Sequence, residues 1–422
     1  MRLVLARSLL RIQDSPAGLT IPRDHERCCW AVAYFFWKSH SHSSPQGPGR
    51  GQAPSARLAV IAMRLPLLDM RRWHESPAAF AQELRIACHR FGFFQLRHRI
   101  PDHVAERTMN EARRFFARPV EEKQRIGYGS SSAFRGYMAY GVENTAGKPD
   151  LREQVEIAAE GLPAAADAWP PYERLRGPNQ WPDVQPQLKE AIEEFSGYMM
   201  GVSTELTHAL CIAMGLEREA IQPLFEPAPH WQLKLASYEA VASDPSGEPG
   251  MGVGAHTDSG FLTMLLQDDS GGLEAFTQGE WIDVDPLGAD VLVCNLGEVC
   301  EMMSGGYLLA TPHRVRSTPR PRLSIPYFYN PALEAVVEPL ELPSHLPWER
   351  EPEYGQRTQW RRPQNALLAQ DGANAFKSLA RSHPAVFERH HPDLRLLDDG
   401  RVVRATDRVT RCEATADRRE RL

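Results

Sequence analysis

The chain lacks most of the features that would place it outside the class of ordinary folded proteins. It has no apolar run near the roughly 20 residues a membrane helix needs. The most apolar stretch near the start, Trp30 to Trp37 (WAVAYFFW), falls far short, so no membrane partner is expected. The leader lacks the charged, apolar, small-residue order of a secretory signal. Seven cysteines, an odd and scattered set without a C-x-x-C pair, exclude a disulfide framework and a cysteine zinc site. A reducing, cytoplasmic location is expected. With 48 Lys and Arg against 54 Asp and Glu, the net charge of −6 provides no basic field for nucleic acid. G-x-x-x-x-G-K-[ST], H-E-x-x-H and G-x-S-x-G are all missing, which removes the commonest phosphate-loop, zinc-protease and serine-hydrolase readings. No internal repeat is present. The expected partner is a small molecule, and the oligomeric state is not legible.

What is there is an ordinary globular composition over 422 residues, 42% hydrophobic and 24% charged, enough for one large domain or two or three smaller ones. Residues 1–62 stand apart: eight Lys and Arg against three Asp and Glu, with a Ser/Pro/Gly/His stretch from Ser39 to Ser55 that cannot build a core. They are read as a disordered extension or the product of an upstream start codon, with Met63 as the natural first residue. Residues 63–225 are read as a helical N-terminal region: a short strand in LPLLDM, helices over Pro77 to Phe94 and Pro101 to Phe116, irregular connections over 127–184, and then a long helix. Along that helix Leu188, Ile192, Phe195, Met199, Val202, Leu206 and Leu210 form one apolar stripe. In 226–340 the period becomes strand-like through QLKLASY, HTDSGFLTMLLQ, GLEAF, WIDV, DVLVCNL, HRVRS and RLSIPYFY. Short strands at such spacing predict an antiparallel sandwich or jelly roll, the expected catalytic core. Residues 341–396 return to helices packing on the core, and 397–422 read as a solvated tail. The fold class is α+β, a double-stranded β-helix (jelly roll) with flanking helices.

The sharpest constellation is His256-Thr257-Asp258 followed by His313. Placed on one strand, His256 and Asp258 at i and i+2 project from the same face, and a histidine from a neighbouring strand completes two imidazoles and one carboxylate. That set leaves coordination positions open and is the arrangement of non-haem Fe(II) oxygenases. An H-x-D triplet is weak alone, and His391-Pro392-Asp393 is a second instance, assigned a structural role because it lies outside the strand-rich region. Arg322 and Ser324 are again i and i+2 on a strand, a guanidinium and a hydroxyl suited to one carboxylate. Gly250-x-Gly252-x-Gly254 is read as a flexible approach to the His256 strand. Two other classes remain open on these residues alone: zinc-dependent hydrolysis and a non-catalytic jelly-roll binding protein.

Taken together, HTDSGFLTMLLQD, GGLEAF, W-I-D-V-x-P, LVCNLGE, SGGYLLATPHRV and RLSIPYF closely resemble the isopenicillin N synthase-like family of Fe(II)/2-oxoglutarate-dependent dioxygenases, over residues 64–393. RGYMAYGVENTAGKPD, GPNQWPD and LLATPHRV resemble the branch of bacterial ethylene- and succinate-forming enzymes. The resemblance implies that His256, Asp258 and His313 bind Fe(II), with 2-oxoglutarate and O2 as cosubstrates. It implies that Arg322, Ser324 and Tyr238 hold the distal carboxylate of 2-oxoglutarate and that Asn295 lies near it. The activity implied is decarboxylation of 2-oxoglutarate to succinate and CO2 coupled to oxidation of a small polar substrate. In the ethylene-forming branch, residues matching Glu143, Thr145, Asp150 and Arg381 surround an L-arginine co-substrate. This chain departs from that branch at Ser259, where it has tyrosine, and at Tyr329, where it has histidine, both expected near the pocket.

Overall fold

The computed structural model describes residues 64–145, 148–241, 250–348 and 367–407. The extension read over 1–62 and the end of the predicted tail, 408–422, lie outside them. Sixteen strands and eight α-helices are described. The first part alternates them: β1 (Leu67–Asp69), α1 (Arg71–Glu75), α2 (Pro77–Arg90), β2 (Phe93–Arg97), α3 (Asp102–Phe116), α4 (Val120–Lys123), β3 (Gly136–Met138), β4 (Asn144–Thr145), β5 (Lys148–Pro149), β6 (Glu153–Ala158) and α5 (Pro186–Ala213). The second part is β7 (His230–Tyr238), β8 (Met251–His256), β9 (Leu262–Gln267), β10 (Leu273–Thr277), β11 (Glu280–Asp283), β12 (Val291–Leu296), α6 (Glu298–Met303), β13 (His313–Arg316) and β14 (Arg322–Asn330). Helices α7 (Asp371–Ser382) and α8 (Pro384–His390) and the hairpin β15 (Leu394–Leu396) and β16 (Val402–Arg404) close it.

Two sheets make the jelly roll. The larger runs β1-β2-β12-β9-β14-β7-β6-β3 and the smaller β11-β10-β13-β8. Strand alternation gives the large sheet two different faces. One set of positions, Leu233 and Leu235 on β7, Met264 and Leu266 on β9, and Leu323, Ile325 and Tyr327 on β14, joins a core with the helices. The α5 stripe supplies Leu188, Ile192, Phe195, Met199, Leu206 and Leu210, all buried there, while Val202 packs partly buried at its edge. Each such side chain contributes about 1.5–3 kcal/mol through burial, so the stripe holds the helix to the sheet. The alternate positions, including Lys234 and Tyr238 on β7 and Arg322, Ser324 and Phe328 on β14, line a cavity of about 750 Å³. Among the described residues no helix is long and apolar enough to cross a membrane.

The secondary structure departs from the sequence reading in four places. The helix expected to reach Phe94 ends at Arg90, because Gly92 turns the chain at φ +62° and FFQLR becomes β2, paired to β12. The stretch read as irregular contains β3 and β6, which extend the large sheet. Gly250 to Gly254 is no flexible approach: β8 runs through it, and a Cβ at Gly252 would lie 2.8 Å from the Tyr238 ring. The predicted solvated tail begins too early, since Val402–Arg404 pairs with Leu394–Leu396 across a turn containing Gly400 at φ +86°.

Candidate metal and cosubstrate site

His256 ends β8 and His313 begins β13, and the two are register partners across that antiparallel pair, with ring centres 4.3 Å apart. Each ring is oriented through Nδ1, His256 against the Gly254 carbonyl at 2.8 Å and His313 against the Thr311 carbonyl at 3.1 Å. A Nδ1–H donated to a carbonyl leaves Nε2 as a lone pair. Both Nε2 atoms face Asp258 Oδ1, at 3.7 Å from His256 and 3.6 Å from His313. Ligand atoms of the three residues lie within 4.8 Å of one another.

Asp258 arrives there differently from expectation. The strand ends at His256, and Asp258 sits in the turn before β9, where its carbonyl accepts the Glu298 N–H at 2.8 Å at the start of α6. The turn closes against Gly297, whose missing Cβ would lie 2.1 Å from the Gly260 carbonyl oxygen. Its Oδ2 accepts hydrogen bonds from Thr263 Oγ1 at 2.6 Å and Asn295 Nδ2 at 2.7 Å, so Oδ1 is the oxygen left for the imidazoles. Burial alone would raise this carboxyl, but the two histidines and these two donors outweigh it and hold it below its ordinary value. Burial, with His313 beside it, lowers His256 to about 4, so that ring is neutral. Two imidazole nitrogens and one carboxylate are a suitable donor set for Fe(II).

Outer partners that orient a ligand commonly govern 10- to 100-fold in metal affinity. Asn295→Ala is therefore expected to weaken Fe(II) binding about 10- to 100-fold, measured by anaerobic titration. An unchanged affinity would mean that Thr263 alone fixes the carboxylate.

At the other end of β14, Arg322 opposes Tyr238 in the β7–β14 ladder. It is only 2% exposed, donates from Nη1 to the Gly271 carbonyl at 3.0 Å and has its Cζ 5.6 Å from the Tyr238 ring centre. Among the described residues its Nε has no partner. Burial lowers its pKa, opposed by Tyr238 and Asp268, yet a guanidinium stays charged. Ser324 follows on the same face, and Arg322, Ser324, Tyr238, Asn295 and the three candidate ligands all line the one cavity. A buried cation with a vacant donor fits a carboxylate.

The remaining predicted residues divide. Glu143 and Thr145 line the cavity, as do the exposed Ser259 and Arg381. Asp150 does not; it is 1% exposed behind them, bonded to Thr145 Oγ1 at 2.9 Å and to Arg152 at 3.3 Å. Tyr329 also departs from expectation: strand alternation turns it into the helix-side core, where it stacks on Phe225 at 5.0 Å. His391 and Asp393 have a structural place, His391 Nε2 bonding to the Ser132 carbonyl at 3.0 Å and Asp393 bridging Arg174.

The sequence reading missed a charged wall. Arg152 pairs with Glu143, and Lys234 reaches Glu143 at 3.2 Å and Glu156 at 2.8 Å. Glu143, Glu156 and His383 could by distance form a second metal cluster. Lys234 and Arg152 already supply the positive charge there. The available signal was polar residues at alternate strand positions, His230, Gln232 and Lys234 on β7 and Gln154 and Glu156 on β6.

Comparison with known proteins converges on the same chemistry. Residues 65–184 match the family model for the N-terminal region of non-haem dioxygenases in morphine synthesis, and residues 231–331 match that of the 2OG-Fe(II) oxygenase superfamily. A homoarginine-6-hydroxylase of Oryza sativa subsp. japonica is 32% identical over 266 residues, covering 62% of this chain and 80% of the relative. The 2-oxoglutarate-dependent dioxygenase frbJ of Dothideomycetidae sp. is 32% identical, covering 67% and 78%. Among solved structures, a full-length Neurospora crassa protein in complex with alpha-KG superposes with a TM-score of 0.59 at 26% identity, covering 75% of this chain and 96% of that one. The chain thus belongs to the 2OG-Fe(II) oxygenases and is a dioxygenase that uses Fe(II), 2-oxoglutarate and O2.

Proposed function

We propose that His256, Asp258 and His313 hold the Fe(II), that Arg322, Ser324 and Tyr238 hold the distal carboxylate of 2-oxoglutarate with Asn295 nearby, and that the substrate is a small polar molecule of amino-acid type. The observation that carries this reading is one cavity containing both the His/Asp/His donor set and a buried arginine with a vacant Nε. The chemistry supplied there is oxidative decarboxylation of 2-oxoglutarate to succinate and CO2, coupled to oxidation of a substrate C–H. The protein's part is positional. Thr263 and Asn295 fix the carboxylate, the Gly254 and Thr311 carbonyls fix the rings, and Arg322 fixes one end of the keto acid. The two sheets supply the walls on which these groups stand.

An amino-acid substrate is favoured by the mixed charge of the wall and by the homoarginine-6-hydroxylase relative. The ethylene-forming reading, with L-arginine as co-substrate, retains Glu143, Thr145 and Arg381 on the cavity. Ser259 in place of tyrosine argues against it, since one altered pocket contact redirects specificity by about 1–3 kcal/mol. A reducing cytoplasm is the proposed location, and nucleic acid has no part in the proposal. The test is anaerobic loading with Fe(II) and 2-oxoglutarate followed by air: succinate should form, and headspace gas chromatography should find little ethylene. Absence of succinate overturns the reading.

A further inference from the structure

Once the pairings on the cavity wall are assigned, one acid is left over. Glu143 and Glu156 are matched by Arg152 and Lys234, Asp258 faces the two imidazoles, and Glu298 accepts from Thr257 Oγ1. Asp371, the first residue of α7, lines the same cavity and is 4% exposed. Its backbone N–H donates to the Ala335 carbonyl at 3.0 Å, but its side chain makes no hydrogen bond or ion pair among the described residues. Burial is the one influence on its carboxyl, which is pushed up to about 8.

Further vacant polar atoms line the same cavity. Among the described residues His230, 8% exposed, has both ring nitrogens unpartnered, and the Nε2 atoms of His383 and Gln232 are vacant as well. All three side chains line the cavity with Asp371. His230 opposes Asn330 in the β7–β14 ladder, and its backbone N–H donates to the Pro331 carbonyl at 3.3 Å. The short segment after β14 thus tethers both His230 and Asp371. Burial, Arg135 and Arg176 lower His230 to about 3, so its ring is neutral and can accept a hydrogen bond. At ~3.4 Å per residue, β7 separates His230 from Tyr238 by about 27 Å, which puts this end far from the Arg322 anchor.

More than nine in ten buried polar groups find partners in folded proteins, so several vacant ones lining one cavity mark the place of a ligand. We propose that Asp371 and His230 form the subsite for the head group of the prime substrate, and that this head group is a cation bearing several N–H donors, of the guanidinium or alkylammonium class. A bound cation would draw this buried carboxyl into its ionised form, and its remaining N–H groups meet the neutral imidazole. The inference rests on the Fe(II)/2-oxoglutarate reading above and adds the charge of the substrate to it.

The experiment uses the full chain loaded with Fe(II) and supplied with 2-oxoglutarate and air. Succinate release is measured alone and with matched probes: L-arginine, L-homoarginine and L-lysine against the uncharged L-citrulline, L-homocitrulline and L-norleucine. At least one cation should stimulate release tenfold or more over its uncharged partner. Asp371→Asn should collapse that ratio towards one, chiefly by raising KM for the cation. Succinate without any probe, combined with equal stimulation by charged and uncharged partners, overturns the subsite and leaves the dioxygenase reading standing; no succinate under any condition overturns both. An unchanged ratio in a folded Asp371→Asn protein, checked by its thermal transition, also overturns the subsite. Should that variant fail to fold, the wild-type ratios decide.

Discussion

Alanine in place of His313 should abolish Fe(II)-dependent succinate formation, with a fall of well over 100-fold. The lower bound follows from comparison with outer partners. Removing a group that only orients a ligand costs about 10- to 100-fold in affinity or activity, and His313 faces the shared point directly, with its Nε2 3.6 Å from Asp258 Oδ1. The residue is 8% exposed and its ring packs beside Phe93 at 5.5 Å between centres, so the substitution also leaves a void. Anaerobic Fe(II) titration and a thermal melt separate the two effects: the titration should lose its saturating phase while the melt stays cooperative. Retained turnover would remove His313 from the proposed ligand set and require another residue in its place.

Arg322→Gln should leave Fe(II) binding in place and raise KM for 2-oxoglutarate. Breaking a buried, hydrogen-bonded charge pair costs about 2–5 kcal/mol, and at about 1.4 kcal/mol per decade that is roughly 30-fold to several thousand-fold in affinity. The glutamine keeps hydrogen-bonding capacity but loses the charge and the planar fork that can meet a carboxylate in two places. Steady-state kinetics over a wide 2-oxoglutarate range makes the measurement. An unchanged KM would mean that the vacant Nε of Arg322 serves some other anion.

Much of this site was legible in the residues because its chemistry depends on types that rarely serve as filler. The α5 stripe and most later strands could be read from periodicity, and His256, Asp258, His313, Arg322 and Ser324 from rare types at short spacing. One step of that reasoning brought the same residues together through the wrong geometry. Asp258 converges on His256 by a turn anchored on α6, not by projecting from a shared strand face. Phe91 and Phe94 continue the helical spacing of α2, so periodicity could not detect that Gly92 had already turned the chain. Arg152, Lys234 and Asp371 were invisible for a different reason. Whether a charged residue is solvated, paired or left over depends on which strands lie side by side, and that is long-range information. Tyr329 illustrates the point in reverse, since a one-residue step along β14 moves a side chain from cavity to core.

The triad is shared between the two sheets. Its imidazoles belong to the four-stranded sheet, whereas its carboxylate is held by Thr263 and Asn295 of the eight-stranded one. A cation bound by all three would therefore clamp one layer of the sandwich to the other. Its binding energy would enter the cohesion of the whole barrel through mass action, about 2.7 kcal/mol at a hundredfold excess over Kd. On that account, iron supply would set how long the folded enzyme survives as well as how fast it turns over.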